Sequence, residues 1–182
     1  LLRPEFKRLR EESLFKKRFG ELRHILINFG GGDKLNLTEK VLKSLSEIKL
    51  PKNIQIDVVL GPQGSLGANI SSFRDVFCGQ IKFSKSITNM AEIMTSADLA
   101  ISAGGSTSWE RCALGLPAII FSIADNQKKI TENIVKNGAG ISLCELSLTN
   151  GEFEASFQKF YSRDVLLSYS KAASKIAEGS GA

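Results

Sequence analysis

The stretch "ISAGGSTSWERCALGLPAIIFS", residues 101–122, decides how the rest of the chain is read. An apolar run stops at Gly104 and Gly105, and three hydroxyl residues follow, Ser106, Thr107 and Ser108. Trp109 and Glu110 open a helical pattern that stops at Gly115, and Pro117 leads into a second apolar run. Strand, glycine turn, helix, glycine stop, strand is the order of a βαβ unit, in which the two strands lie parallel and the helix crosses a face of the sheet. The second run, "PAIIFSI" (117–123), is continuous rather than alternating, the mark of a strand covered on both faces.

The same alternation extends in both directions. Upstream, "HILINF" (24–29) reads as a strand stopped by Gly30, Gly31 and Gly32. "NLTEKVLKSLSEI" (36–48) reads as a helix with an Asn36–Glu39 capping box. "IQIDVVLG" (54–61) is a strand, a weak helix is expected around 64–74, and "QIKF" (80–83) is a third strand. Asn89 and Glu92 are expected to cap "MAEIMTSA" (90–97), and "DLAIS" (98–102) is the strand before the glycine corner. Downstream come a helix over 126–138, a strand "AGISL" (139–143), a helix "EFEASFQKFY" (152–161) capped by Thr149 with Glu152, and a last helix from about 163 to 177. This pattern predicts an α/β fold: a three-layer, doubly wound, mainly parallel sheet of about six strands, Rossmann-like. Residues 1–19 are expected to form a lead-in helix, with Pro4 in its first turn, and residues 20–182 the α/β domain.

Composition narrows the class of function. At 182 residues the chain has room for one ordinary domain, and it opens on Leu1, so it is expected to be part of a longer protein. No apolar stretch approaches the roughly 20 residues of a membrane span. Cys78, Cys112 and Cys144 are widely spaced, without C-x-x-C pairing, which predicts reduced thiols in the cytoplasm and no zinc site. The net charge of +5 is concentrated at the start: residues 1–19 carry seven basic and three acidic side chains, a net +4. That segment reads as a solvated helix face or connector, not as a nucleic-acid patch.

In a doubly wound sheet, ligands sit beyond the carboxyl ends of the strands, where the strand order reverses. The strands ending at residues 29 and 102 are the expected neighbours there, and both run into glycines, "NFGGGDKLN" and "SAGGSTSWE". Glycine lets backbone amides approach a phosphate closely, and a following helix adds unpaired N–H groups. Two facing corners of this kind would cradle a diphosphate. Neither matches G-x-G-x-x-G or the P-loop pattern. The spacing of Glu110 suits either a ribose-binding carboxylate or a capping box with Thr107.

Four motifs carry a family resemblance: "LLRPEF" (1–6), "GGGDKLNLT" (30–38), "ITNMAEIMTSADLAISAGGST" (87–107) and "ADNQ" (124–127). In this order they resemble the nucleotide-sugar-binding half of GT-B-fold proteins, in particular the UDP-sugar hydrolases of pseudaminic acid biosynthesis and their spore-coat-polysaccharide relatives. The MurG-type glycosyltransferases share the glycine, glutamate and glutamine pattern. The resemblance implies a UDP-sugar ligand and no cofactor or metal. It places the diphosphate on Gly104, Gly105, Ser106 and Thr107, and the ribose on Glu110. The base would lie against the segment from Ile87 to Met90. Asn126 and Gln127 would face sugar or phosphate, and Gly31, Gly32 and Asp33 would lie across the cleft.

In that family a separate N-terminal domain, absent from this chain, carries the proposed histidine base. This chain is therefore expected to be a donor-binding half without a catalytic residue of its own. His24, its single histidine, opens a strand at the wrong end of the sheet. Trp109 is expected to pack between helix and sheet or against the other domain, and Cys112 to be a small core residue. The alternatives for the parent protein are a GT-B glycosyltransferase and a non-catalytic nucleotide-sugar-binding module.

Overall fold

The first strand, β1 (His24–Asn28), lies between β2 (Gln55–Leu60) and β4 (Leu99–Ala103) and runs parallel to both. The computed structural model describes residues 2–177 apart from 32, 34, 52, 65–69, 78 and 79, and only the backbone of 70 and 71. With β3 (Ile81–Lys85), β5 (Ala118–Phe121) and β6 (Gly140–Leu143) the sheet is six-stranded, in the order β3-β2-β1-β4-β5-β6. Every pairing is parallel. The chain winds outward one way through β1–β3, then returns to the centre and winds the other way, so the order reverses between β1 and β4.

The strand side chains alternate between two cores, as the period of two requires. Ile25, Ile27, Leu99, Ile101, Ile119 and Phe121 belong to one, together with Val41, Leu42 and Leu45 of α2 (Leu37–Glu47) and the rings of Phe153, Phe157 and Phe160. Leu26, Ala100, Ala118 and Ile120 belong to the other. Helices α1 (Pro4–Lys17), α4 (Met90–Ser96), α5 (Thr107–Ala113) and α6 (Asp125–Lys136) cover that face. The small side chains of Ala100 and Ala118 let these helices lie close. The remaining helices are α3 (Ile70–Val76), α7 (Glu152–Gln158) and α8 (Arg163–Ile176). Helix α8 passes from one core to the other: Leu166 packs in the first and Ala173 in the second. Among the described residues, no helix is long and apolar enough to cross a membrane.

The predicted six-strand architecture holds, with element ends shifted by a few residues. A 3-10 turn, Glu145–Leu148, occupies a stretch where no element was predicted. The predicted capping boxes do not form. Asn36 sits at φ 52 and makes no capping bond. Instead, Asp33 accepts the amides of Leu37 (2.8 Å) and Thr38 (2.7 Å) on its two carboxylate oxygens. Asn89 makes no capping bond either. At α7 the cap residue is Gly151, φ 83, while Asn150 accepts the Glu152 amide and the Glu152 carboxylate accepts the Ser147 hydroxyl. In each case the loop's path, not the sequence interval, decides which polar side chain reaches the free amides.

Helix α1 keeps most of its charged side chains exposed, but two of its cations are built into the fold. Arg10 donates to the carbonyls of Ala113, Ser174 and Ala177, joining the ends of α5 and α8. Lys17 is buried and donates to Ser13 Oγ and to the Met94 and Thr95 carbonyls at the end of α4. Cations at helix carboxyl ends complement both the orphan carbonyls and the helix dipole. These two cations are thus structural, while Arg3, Lys7, Arg8, Lys16 and Arg18 stay exposed. Burial also lowers the Lys17 pKa to about 7.

Candidate functional site

Asn28, the last residue of β1, lies opposite Ser102 of β4. The loops that follow these strands therefore leave the carboxyl edge of the sheet side by side, at the point where the strand order reverses. This is the position at which open α/β sheets bind ligands. A third loop joins them. A β-carbon on Gly61, just after β2, would stand 2.1 Å from the Gly30 carbonyl oxygen and 2.5 Å from the Gly31 α-carbon. The Gln63 amide donates to the Gly31 carbonyl at 3.2 Å. Gly32 lies outside the described residues.

The glycines of the two corners are required for different reasons. Gly30 has φ +83, a backbone conformation that L side chains rarely adopt. At Gly104 a β-carbon would come within 2.2 Å of the Thr131 hydroxyl. Gly31 and Gly105 have neither constraint. Their φ is not positive; among the described residues, a β-carbon at Gly31 would meet nothing within 4 Å, and at Gly105 only Gln127 Nε2, at 4.0 Å. The Gln127 carboxamide accepts the Ile123 amide on Oε1 at 3.2 Å, which leaves Nε2 directed over Gly105. Asn126 is exposed in the first turn of α6. Ser106, at the cap position of α5, makes no side-chain capping bond, so its hydroxyl is not occupied there.

Glu110 lies on the first turn of α5 and does not form a capping box with Thr107. Its carboxylate is held side-on by Arg3, Nε to Oε1 at 2.7 Å and Nη2 to Oε2 at 3.2 Å. The Arg3 guanidinium also lies over the Phe6 ring, 4.8 Å from its centroid. Phe6 is fully buried in the core against which two half-buried residues pack, Ile87 in the β3–α4 connection and Met90 at the start of α4. Glu110, Arg3, Ile87 and Met90 are therefore joined through one packed layer. Asp33 follows Gly31 and Gly32 in the loop after β1, and both of its carboxylate oxygens cap α2.

Other candidates lie elsewhere. His24 Nε2 meets Asp57 Oδ2 at 2.8 Å at the amino end of β1, away from the glycine corners. Trp109 does not pack between helix and sheet. It is 36% exposed and lines a cleft of about 580 Å³ with Asn133, Asn137, Lys171 and Lys175, between α5, α6 and α8. Cys112 is buried, as expected. Three participants were missed in the sequence: Arg3, Gly61 and Thr131. Gly61 carried a usable signal, an apolar run ending in glycine like the other two corners. Thr131 carried none, and Arg3 lies in the motif "LLRPEF" without its partner being visible, because their contacts cross 27 and 107 positions of chain.

The geometry is that of a known group of proteins. Residues 24–179 match the glycosyltransferase family 28 C-terminal domain. Two curated relatives are similar. The chain is 34% identical over 138 residues to the uncharacterized protein MJ1062 of Methanocaldococcus jannaschii, covering 75% of this chain and 28% of that protein. It is 29% identical over 143 residues to the spore coat polysaccharide biosynthesis protein SpsG of Bacillus subtilis, covering 79% and 41%. It thus spans less than half the length of either. Among solved structures, Acinetobacter baumannii MurG superposes with a TM-score of 0.68 at 18% identity, over 90% of this chain and 49% of that one. The spinosyn rhamnosyltransferase SpnG, complexed with thymidine diphosphate, superposes with a TM-score of 0.61 at 22% identity, over 87% and 41%. The chain belongs to the glycosyltransferase family 28 C-terminal domain family and has the fold of the corresponding half of GT-B glycosyltransferases.

Proposed function

We propose that this chain is the UDP-sugar-binding half of an enzyme that breaks the anomeric bond of a nucleotide-linked amino sugar, of the UDP-diacetamido-trideoxyhexose type, with water as the acceptor. The observation that carries the binding site is the openness of Gly31 and Gly105. Neither φ nor packing demands glycine at these positions, and both border the carboxyl-edge crevice. In this proposal the space that a side chain would fill is left for a ligand, which the backbone of the glycine corners can approach closely. In this reading the turn Gly104–Thr107 holds the diphosphate, Glu110 accepts the two ribose hydroxyls, and the Ile87–Met90 segment faces the base. Gln127 Nε2 and Asn126 reach phosphate or sugar. Gly31 bounds the opposite wall, and Asp33 shapes it by capping α2.

The chemistry asked of this half is binding and leaving-group stabilisation. Negative charge develops on the departing diphosphate, and preorganised main-chain donors stabilise it at the transition state. We assign the general base to a part of the protein outside this chain. The relationship to a spore coat polysaccharide biosynthesis protein supports a role in surface polysaccharide or nonulosonic acid synthesis, and the thymidine diphosphate bound to a structural neighbour supports a nucleoside diphosphate ligand. The free thiols of Cys112 and Cys144 fit a reducing compartment, so we place the activity in the cytoplasm. Family membership favours a second reading, in which an acceptor alcohol replaces water and the parent is a glycosyltransferase like MurG.

Two measurements separate these readings. Calorimetric titration of the chain with UDP tests the site, and absence of binding would leave a non-catalytic interaction module. Incubation of the whole protein with UDP-sugars and no acceptor tests the chemistry: UDP release supports hydrolysis, and release only on addition of an acceptor supports transfer.

A further inference from the structure

We propose that Arg3 is a built-in competitor for the ribose at Glu110 and so sets the nucleotide affinity of the cleft, an inference that rests on reading Glu110 as the ribose ligand. Arg3 immediately precedes Pro4, the first residue of α1, and is extended there with φ -64 and ψ 144. Its position is therefore tied to a helix packed on the sheet and not to a free terminus. Its fork meets both oxygens of Glu110 side-on. A vicinal diol that donates one O–H to each oxygen of a carboxylate needs the same inward-facing lone pairs. Guanidinium and ribose cannot both hold this carboxylate in that way.

The competitor is weak enough to be displaced. The Arg3 side chain is 48% exposed, and the pair is reached by solvent even though Glu110 is only 14% exposed. Arg3 is the solvent-exposed partner, so its guanidinium is rehydrated when it leaves the carboxylate. Arg3 also has a resting place ready once Glu110 is taken. Its Nη1 is 3.3 Å from the Glu5 carboxylate, and its guanidinium already lies over the Phe6 ring. Release therefore requires a swing of one side chain and leaves α1 in place. The apparent affinity is reduced by the fraction of molecules in which Glu110 is free.

The test uses a neutral ligand. Uridine carries the ribose diol but no charge, so salt acts on its binding through the Arg3–Glu110 pair. Raising salt from about 0.05 M to about 0.5 M weakens that pair in part, through its solvent-exposed Arg3 end. Uridine binding to the wild-type chain, followed by NMR chemical-shift titration, should tighten over this range, and binding to Arg3→Ala should stay flat. At low salt, Arg3→Ala and Arg3→Gln should each bind uridine and UDP about two- to five-fold more tightly than wild type, the scale of an exposed ion pair. Equal or weaker UDP binding by both variants, with unchanged thermal unfolding, overturns the proposal, as does a flat uridine response in the wild type. UDP binding that is unaffected by Glu110→Ala, or no UDP binding at all, overturns the ribose reading itself. Sensitivity to Glu110→Ala without tightening in the Arg3 variants overturns this inference alone.

Discussion

The Thr131 hydroxyl stands 2.2 Å from the place a β-carbon on residue 104 would occupy. It accepts a hydrogen bond from Ser122 Oγ at 3.0 Å, and Thr131 is buried, so it cannot move aside freely. Gly104→Ala should therefore lower stability by about 1–3 kcal/mol, the cost of overpacking a fixed core position. Gly105→Ala meets no such neighbour and should leave stability within about 0.5 kcal/mol of wild type. Its methyl group would instead enter the crevice, and UDP binding should weaken at least about tenfold, or about 1.4 kcal/mol. Denaturant unfolding and calorimetric titration of the two variants check the contrast. Loss of stability without loss of binding in Gly105→Ala would remove the phosphate reading of this corner.

Glu110→Ala should weaken UDP binding by about 1–3 kcal/mol, the range for removing a charged hydrogen-bonding partner. Fold stability should change little, because Arg3 is exposed and keeps Glu5 and the Phe6 ring as neighbours. An unchanged dissociation constant in a folded variant would end the ribose assignment.

How far the sequence carried this reading depends on the range of the interaction. Element order and the adjacency of the two glycine corners followed from local patterns: apolar runs, glycine stops and the rules of βαβ winding. Gly115 at φ +63 and Gly138 at φ +72 end their helices as their positions suggested. What failed was anything decided by side chains meeting across the fold. Most charged side chains of residues 1–19 are exposed, as composition suggests, but the roles of Arg10 and Lys17 depend on where α4, α5 and α8 end. Glu110 looked like a cap or a ribose ligand because its spacing to Thr107 was visible and its pairing with Arg3 was not.

The cap of α2 gives a test of that distinction. Asp33, not the Asn36–Glu39 pair, satisfies the first amides of the helix. Asp33→Ala should lower stability by about 1 kcal/mol, the usual cost of losing a cap. Glu39→Ala should change it by less than about 0.5 kcal/mol. Asn36→Gly should be tolerated, because φ 52 is unfavourable for a residue with a β-carbon and the side chain makes no capping bond. Thermal unfolding of the three variants decides the matter; a larger loss in Glu39→Ala than in Asp33→Ala would reinstate the capping box.

Lys17 should give the folded chain a distinctive alkaline pH dependence. Burial lowers its pKa from 10.5 to about 7, while the Asp98 carboxylate opposes the shift and Lys16 adds to it. Asp98 itself is pushed above the usual carboxylate range by burial, partly offset by the amides of Arg23 and His24. Between about pH 7 and 10.5 the unfolded chain binds a proton at Lys17 that the folded chain has released. Stability should therefore rise with pH across that window, by up to about 1.4 kcal/mol per pH unit, and Lys17 should contribute no slope below it. Lys17→Met removes the titration but also the donor to the Met94 and Thr95 carbonyls, so its absolute stability is not diagnostic. The diagnostic quantity is the difference in slope between wild type and variant, from urea unfolding at intervals between pH 7 and 10. Parallel curves would mean that Lys17 keeps its proton in the fold, held by the three oxygen atoms around its ammonium group.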